Sequence, residues 1–269
     1  MWILAVVSLA LGPLSAVASE RGADGEFEKR TSSHFVLLQD VDIDETSGLR
    51  GSRHFEQEVL AVLEDAYDRL DQLLGLRPRR PITVVIYDPE IFDQQFRGLF
   101  RFSAAGFYSG TIHVRGDTRV YYPLIRVLHH ELVHAAFDAE APDLWLPAWL
   151  NEGVAEWFGA RAVGQRQLSP RQLQFLSQVD RQAGLLALRD LDSPSFGHLG
   201  SDPARLAYLQ SYAFIEYLTR FRGERSLREL CRDVIRGYDL NRAFQRTYRA
   251  DLDELQASFA ADLRGRSGG

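Results

Sequence analysis

A chain of 269 residues in which 45% are apolar can bury one large core or two modest lobes with a cleft between them, which excludes a disordered protein. The net charge of −6, with acidic and basic residues interspersed, argues against a nucleic-acid-binding surface and gives no reason to expect an anionic partner. The single cysteine, Cys231, excludes an intramolecular disulfide, and its apolar helical context predicts a buried thiol.

The first 18 residues have the pattern of a secretory signal peptide. They are apolar and end in Ala16-Val17-Ala18, a small-x-small cleavage pattern. No lysine or arginine precedes the apolar run, so an uncleaved N-terminal anchor is the alternative. We therefore expect an exported protein, periplasmic or secreted, with no integral membrane span after cleavage. Residues 19–30 are polar and are predicted to form a flexible leader.

Residues 31–120 are predicted to form an α/β lobe in which a helix packs on a small sheet. Runs rich in β-branched residues predict strands, and apolar residues at helical spacing predict a helix that stops at Gly75. The predicted elements are strands at 34–38 and 81–87, a helix at 55–74, and a hairpin or kinked strand at 105–114 around Ser109-Gly110.

Residues 121–264 are predicted to form a mostly helical lobe, and the Gly-rich residues 265–269 a disordered tail. Prolines and small polar residues mark the helix starts, and glycines mark ends. In chain order the marks are Pro123, Pro147, Ser169-Pro170, Ser201-Asp202-Pro203, Gly223 and Gly237, followed by a last helix at 252–263. The predicted fold class is α+β.

The first helix of this lobe carries a metal-binding motif. His130, Glu131 and His134 form H-E-x-x-H, and at 3.6 residues per turn the two histidines project from one helical face. Two neutral imidazoles make half of a tetrahedral zinc site, and a catalytic zinc needs a third protein ligand and an open position for water. Glu152, on the helix that Pro147 opens, is the candidate third ligand. The spacing predicts one Zn²⁺ per chain.

Three neighbouring residues have candidate supporting roles. Glu131 points off the ligand face beside the open position and is the candidate general base, with a structural surface glutamate as the alternative. Glu156 follows Glu152 by one helical turn, where it can accept the second ring N–H of a zinc-bound histidine, with a solvated side chain as the alternative. His129 is rotated about 100° from His130 and is interpreted as a packed or exposed histidine rather than a ligand.

Two stretches resemble the gluzincin metallopeptidases of the thermolysin and aminopeptidase N type, and most closely the short bacterial peptidase MA-like proteins. They are H-H-E-L-V-H at 129–134 and L-P-A-W-L-N-E-G-V-A-E at 146–156. The resemblance implies a zincin-like fold with the active-site cleft between the two lobes, and the same zinc ligands and base. The gap between the motifs is one residue shorter than is usual in aminopeptidases, which a loop at 139–143 can absorb.

The resemblance also implies a tyrosine at the reaction site. Residues 208–218 resemble the aminopeptidase segment in which a tyrosine opens a Y-x-x-(G/S)-(F/Y)-A helix and hydrogen-bonds the tetrahedral intermediate, which assigns that role to Tyr208. Such a donor is needed because negative charge develops on the attacked carbonyl oxygen. Tyr212, on nearly the same face, is the rival, and core packing of both tyrosines is the other alternative.

These motifs predict a zinc-dependent metallopeptidase that acts on a peptide or protein substrate, with Glu131 activating a zinc-bound water. The alternative is an exported zinc-binding protein with little or no turnover that binds a peptide or a protein partner in the cleft. A third class, in which H-E-x-x-H is accidental, would bind no metal. The sequence makes no prediction of oligomeric state.

The stretch Ala104–Tyr108 bears on the type of substrate. It precedes His130 by about the distance at which aminopeptidases of the resembled type carry G-A-M-E-N, whose backbone pairs with the substrate and whose glutamate grips the free α-amine. No acid occurs in the stretch here, so we expect an endopeptidase. The alternative is an acid that reaches in from elsewhere, such as Asp88 or Glu90.

Overall fold

The computed structural model describes residues 5–8, 27–41 and 51–267. A sheet built from the first half of the chain is followed by packed helices, so the predicted α+β class is confirmed. The strands are β1 (Ala5–Ser8), β2 (Glu28–Thr31), β3 (Phe35–Gln39), β4 (Ile82–Tyr87), β5 (Ala104–Tyr108) and β6 (Ile112–Arg115). The helices are α1 (Gly51–Leu74), α2 (Pro89–Gln95), α3 (Tyr122–Glu140), α4 (Ala148–Ala162), α5 (Pro170–Ala183), α6 (Ser201–Arg222), α7 (Glu224–Ile235), α8 (Leu240–Tyr248) and α9 (Leu252–Ser267), with a 3₁₀ turn at Leu188–Leu191.

The described strands form one mixed sheet in the order β1-β5-β6-β4-β3-β2. β3, β4 and β6 are parallel, whereas β2 and β5 pair antiparallel with β3 and β6. β1 pairs in parallel with the outer edge of β5, from Ala5 opposite Ala104 to Ser8 opposite Tyr108. β1 also contacts α3, α4 and α6, so this edge of the sheet borders the helices that carry the candidate site.

The strands predicted in the first lobe are confirmed, and burial explains their composition. β4 lies between β3 and β6 with five of its six residues buried, which matches a continuous β-branched run rather than an alternating pattern. β5 and β6 form the predicted hairpin. At its turn the N–H of Ser109 donates to the Thr111 carbonyl, and Gly110 has a positive φ of 82° that glycine adopts without strain.

The N-terminal segment departs from the predicted boundaries. Residues 28–30, predicted to lie in a flexible leader, belong to β2, which completes the backbone hydrogen bonds of β3 and carries an Arg30–Glu56 ion pair to α1. β1 falls inside the predicted signal peptide. The cleavage pattern at residues 16–18 lies outside the described residues, so the signal peptide stays a prediction.

Two helices also differ from the prediction. α2 was not predicted, although Asp88 caps it by accepting a hydrogen bond from the Glu90 N–H and Pro89 occupies its first turn. α9 continues to Ser267, past the predicted end at Leu263 and into the predicted tail, because Arg264 and Arg266 pair with acids on α5 and α6. Across the described part of the chain, no helix is long and apolar enough to cross a bilayer.

The two predicted lobes share one continuous hydrophobic core. The boundary near residue 120 therefore separates types of secondary structure rather than separate cores. Cys231 is buried, as predicted, and burial raises the pKa of its thiol to about 12. Large buried members of this core from both lobes are Phe35, Val59, Val84, Leu128, Trp149, Phe214 and Phe259.

α4 lies between α3 and α6 and approaches both closely through glycines. A methyl group on Gly159 would lie 2.8 Å from the Arg126 carbonyl oxygen of α3. A methyl group on Gly153 would lie 2.8 Å from the Ser211 carbonyl oxygen of α6. These distances are shorter than van der Waals contact with backbone atoms that cannot easily move, so the helix spacing requires glycine at both positions.

We expect Gly153→Ala to lower the free energy of unfolding by roughly 1–3 kcal/mol, because overpacking against the α6 backbone outweighs the better helix propensity of alanine. Gly265→Ala on α9 is the matched control, since a methyl group there meets nothing within 4 Å. Denaturant titration followed by circular dichroism measures both variants. Equal stability of Gly153→Ala and the parent would contradict the close-packing argument.

Candidate metal centre

The metal-binding motif lies on α3 and faces α4. Pro123 sits in the first turn of α3, where its missing N–H costs no helical hydrogen bond. About two and three turns further on, His130 and His134 are 1% and 2% exposed. Glu152, in the first half of α4, is fully buried against them. The packing of α4 on α3 thus brings together three side chains that are up to 22 positions apart in the sequence.

The three side chains have the geometry of a metal-ligand set. One donor atom from each lies within 4.8 Å of the other two. Glu152 Oε2 is 3.2 Å from His130 Nε2 and 3.4 Å from His134 Nε2. Ligand atoms bonded about 2.1 Å from a tetrahedral zinc lie about 3.4 Å from one another. The spacing therefore fits one small divalent cation.

The charge balance at the centre also fits a divalent cation. Glu131, Glu152 and Glu156 are buried, and Arg126 is the guanidinium paired with Glu156. With neutral imidazoles these groups leave an excess of two negative charges, which is costly in a buried site. A bound divalent ion would neutralise this excess.

The pKa values show how the chain meets this excess with protons. Burial raises the pKa of Glu131 well above its usual range; the positive charge of His130 opposes the rise, and Glu152 and Glu156 add to it. Burial alone would lower the pKa of His130, but hydrogen bonds with Glu152 and Glu156 raise it to about 10. Because metal ligands must be deprotonated, a cation and these protons compete for the site.

Residues outside the ligand set orient the two imidazoles. His134 Nδ1 donates a 3.0 Å hydrogen bond to the Asn151 amide oxygen, which leaves the Nε2 lone pair facing Glu152. His130 Nδ1 lies 3.4 Å from Glu156 Oε1, the geometry expected for the predicted supporting role of Glu156. Glu156 is also paired with Arg126, so the solvated alternative for this residue is wrong.

Sequence reasoning missed Asn151 and Arg126. Asn151 directly precedes Glu152, and Arg126 lies one helical turn before His130. Their proximity in sequence to the predicted ligands was a usable signal, since polar residues that support a metal site often lie near its ligands. What the sequence does not reveal is how α3 packs on α4, which brings Asn151 to His134 and Arg126 to Glu156.

Glu131 is buried beside the ligand set and against β5. Neither of its carboxylate oxygens has a hydrogen-bond partner among the described residues. A methyl group on Gly106 would lie 3.2 Å from Glu131 Oε1 and 2.8 Å from Val127 Cγ1, so the strand passes close to the carboxylate only because residue 106 is glycine. A buried, unpartnered carboxylate beside a metal-ligand set is available to accept a proton, and the surface alternative for Glu131 is wrong.

Tyr208 and Tyr212 are both buried on α6 but have different neighbours. Burial raises the pKa of Tyr208 well above its usual range, and the charges of Glu152, Glu156 and Glu131 add to the rise. Burial raises the pKa of Tyr212 to about 12, with Glu216 the largest charged contributor. The charges of all three carboxylates of the candidate centre thus raise the pKa of Tyr208, whereas Glu156 is only a minor contributor to the pKa of Tyr212.

His129 is not part of the ligand set. Its Nδ1–H donates to the Ile125 carbonyl at 2.8 Å, and its ring packs on Phe158. Burial lowers the pKa of His129 to about 4, so the ring is neutral at physiological pH. Of the two alternatives, packed or exposed, the structure supports the packed histidine.

Comparison with known proteins agrees with this geometry. A family model described as the Peptidase MA superfamily matches residues 62–265. The chain belongs to this superfamily. The predicted resemblance to peptidase MA-like proteins is thus confirmed, and with it a zinc-metallopeptidase-like fold.

The chain is also similar to an uncharacterized protein of Bacillus subtilis (strain 168), YhcO. The two are 24% identical over an alignment of 205 positions that covers 70% of this chain. The match covers 59% of the length of YhcO. This relative is itself uncharacterized, so it assigns no activity to the chain.

We expect Glu152→Ala to bind far less zinc than the parent chain, because the substitution removes the candidate third ligand. Glu156→Gln should bind zinc only about 10–100-fold more weakly, as is usual for residues that orient a ligand. Glutamine also keeps a polar partner for Arg126, whereas alanine would leave a buried charge unpaired.

Metal analysis of the dialysed proteins checks this contrast, with circular dichroism as the control for folding. Parental zinc content in Glu152→Ala together with loss in Glu156→Gln would reverse the assignment of the third ligand.

Proposed function

We propose that this protein is a zinc-dependent endopeptidase. The observation that carries the proposal is the buried set of His130, His134 and Glu152 with the unpartnered carboxylate of Glu131 beside it. A structural zinc site is typically closed by four protein ligands, whereas a catalytic site has three and an open position. Three ligands beside a free proton acceptor correspond to the catalytic type.

A zinc ion held here would supply a Lewis acid that activates water near neutral pH and polarises a carbonyl. Glu131 accepts the proton from the attacking water and delivers it to the leaving amine. Asn151 and Glu156 hold the imidazole rings in the orientation that metal binding needs. The hydroxyl of Tyr208 donates a hydrogen bond to the oxygen on which charge develops.

Two features of β5 support cleavage within a chain rather than at its amino end. β5, Ala104–Tyr108, contains no acid that could hold a free α-amine. Of the acids considered as substitutes, Asp88 caps α2 and Glu90 is exposed. The outer edge of β5 pairs with an extended segment, β1, which falls inside the predicted signal peptide. Removal of β1 with the signal peptide would leave this edge to an extended peptide substrate.

We expect Glu131→Gln to keep its metal and fold but to lose hydrolysis by about 10²–10⁴-fold, because it keeps the shape of the side chain and removes the proton acceptor. Release of a quenched fluorescent peptide measures the rate, and zinc content is the control. A Gln variant as fast as the parent would place the base elsewhere. A parent that binds zinc but cleaves nothing would instead support the zinc-binding protein with little turnover.

N-terminally acetylated and free peptides of one sequence should be cut at the same internal bonds and at similar rates, because β5 carries no acid that could hold a free amine. Mass spectrometry of the products identifies the bonds. Strong preference for the free peptide, with single residues released from the amino end, would show that the enzyme is an aminopeptidase.

A further inference from the structure

Arg126 forms a largely buried ion pair between the two helices that carry the candidate metal centre. It lies on α3 one helical turn before His130, and its guanidinium Nη2 donates a hydrogen bond to Glu156 Oε2 on α4. The Arg126 side chain is 21% exposed and the Glu156 side chain 6%. Solvent screens such a pair only weakly, so the guanidinium holds the carboxylate in a defined position.

The two carboxylate oxygens of Glu156 have different partners. Oε2 accepts the hydrogen bond from Arg126, and Oε1 lies 3.4 Å from His130 Nδ1. Among the residues that the structure describes, no other acceptor is within hydrogen-bonding geometry of His130 Nδ1. A carboxylate that is held at one oxygen keeps the other oxygen at the imidazole. Glu156 thereby fixes which ring nitrogen of His130 carries the proton and which one faces the metal position.

The path of the Arg126 side chain to α4 depends on Gly159. A methyl group on Gly159 would lie 3.2 Å from Arg126 Cγ and 3.6 Å from His130 Cβ. The aliphatic part of Arg126 therefore passes beside the backbone of α4, where residue 159 has no side chain to obstruct it. Arg126 Nη1 also lies 3.5 Å from the amide oxygen of Gln165, in the loop after α4. The guanidinium thus has acceptors both on α4 and after its end.

We propose that Arg126 is a positioning residue for the metal centre, which holds Glu156 and through it the His130 imidazole in the orientation that metal binding needs. The inference rests on the metal site of the proposed function but not on turnover, because it concerns metal affinity. Without the arginine, Glu156 is a buried carboxylate that has lost its cation, and it turns toward water or another partner. The His130 ring then loses the contact that orients it.

A double-mutant cycle on zinc affinity tests the proposal. Arg126→Met removes the charge but keeps an apolar chain beside Gly159. We expect it to bind zinc about 10–100-fold more weakly than the parent, as is usual when support of a metal ligand is lost. The direction is informative, because removal of a positive charge would by itself strengthen the binding of a cation.

The second arm of the cycle uses the Glu156→Met background, in which Arg126 has no carboxylate to hold. There Arg126→Met should weaken zinc binding by less than about threefold, because the effects of residues that act through one another do not add. Competition with a chromogenic chelator measures the affinity of all four proteins, and circular dichroism is the control for folding.

Two further variants separate positioning from general stability. Arg126→Lys keeps the positive charge, so it should bind zinc more tightly than Arg126→Met, although less tightly than the parent because it lacks the guanidinium geometry. Arg161 is the matched control, since its side chain is 16% exposed and pairs at 2.8 Å with Glu224, which joins α4 to α7 rather than to α3. Arg161→Met should keep the parental zinc affinity.

The outcomes separate this proposal from the proposed function. A loss of affinity in Arg126→Met that disappears in the Glu156→Met background supports the proposal even if the parent cleaves no peptide. Unchanged or tighter zinc binding in Arg126→Met overturns it even if the parent is an active peptidase. An equal loss in both backgrounds, or a similar loss in Arg161→Met, also overturns it.

Two remaining results are also decisive. If Arg126→Met does not fold, Arg126→Gln replaces it in both backgrounds, with the same expected results. A parent chain that binds no zinc would contradict the proposed function and this inference together.

Discussion

Negative charge buried between α3 and α4 is the constraint on which the centre depends. Glu131, Glu152 and Glu156 are removed from water, and the Arg126 guanidinium compensates only one of them. Isolated buried carboxylates are too costly to persist, so the site must hold protons or a cation. The shifted pKa values of Glu131 and His130 and the metal-ligand geometry are two expressions of that requirement.

The fold sustains this charge because close helix packing excludes water from it. Gly159 lets α4 approach α3, and Gly153 lets it approach α6, so the Glu152 side chain is fully buried between them. Gly106 similarly brings β5 against Glu131. Replacing any of these glycines would move backbone rather than a flexible side chain, and a shift of even 1 Å is large for ligands that must meet at one point.

The chemistry proposed for the centre depends on a contrast between polar groups on one side of it and apolar surface on the other. Asn151 and Glu156 make the polar contacts that orient the imidazoles, and the charges of the buried glutamates raise the pKa of Tyr208 on α6. On the other side lie the outer edge of β5 and an apolar cavity lined by Phe92, Phe96, Phe100 and Val127. Polar groups near the reacting bond and apolar surface beyond it are what an extended peptide needs for orientation and for affinity.

The sequence alone determined the features that depend on local geometry. Helical periodicity is enough to place His130 and His134 on one face, and proline and glycine marks located the helices that carry the motifs. The parallel strands were recognisable because buried strands carry β-branched runs. The tertiary structure decided which side chains meet, as in the contacts of Arg126 and Asn151 and the different charged groups near Tyr208 and Tyr212. It also decided that β1 pairs with β5 and β2 with β3. Periodicity fixes the direction of a side chain within its own element, whereas contacts between elements depend on packing distances that no local pattern encodes.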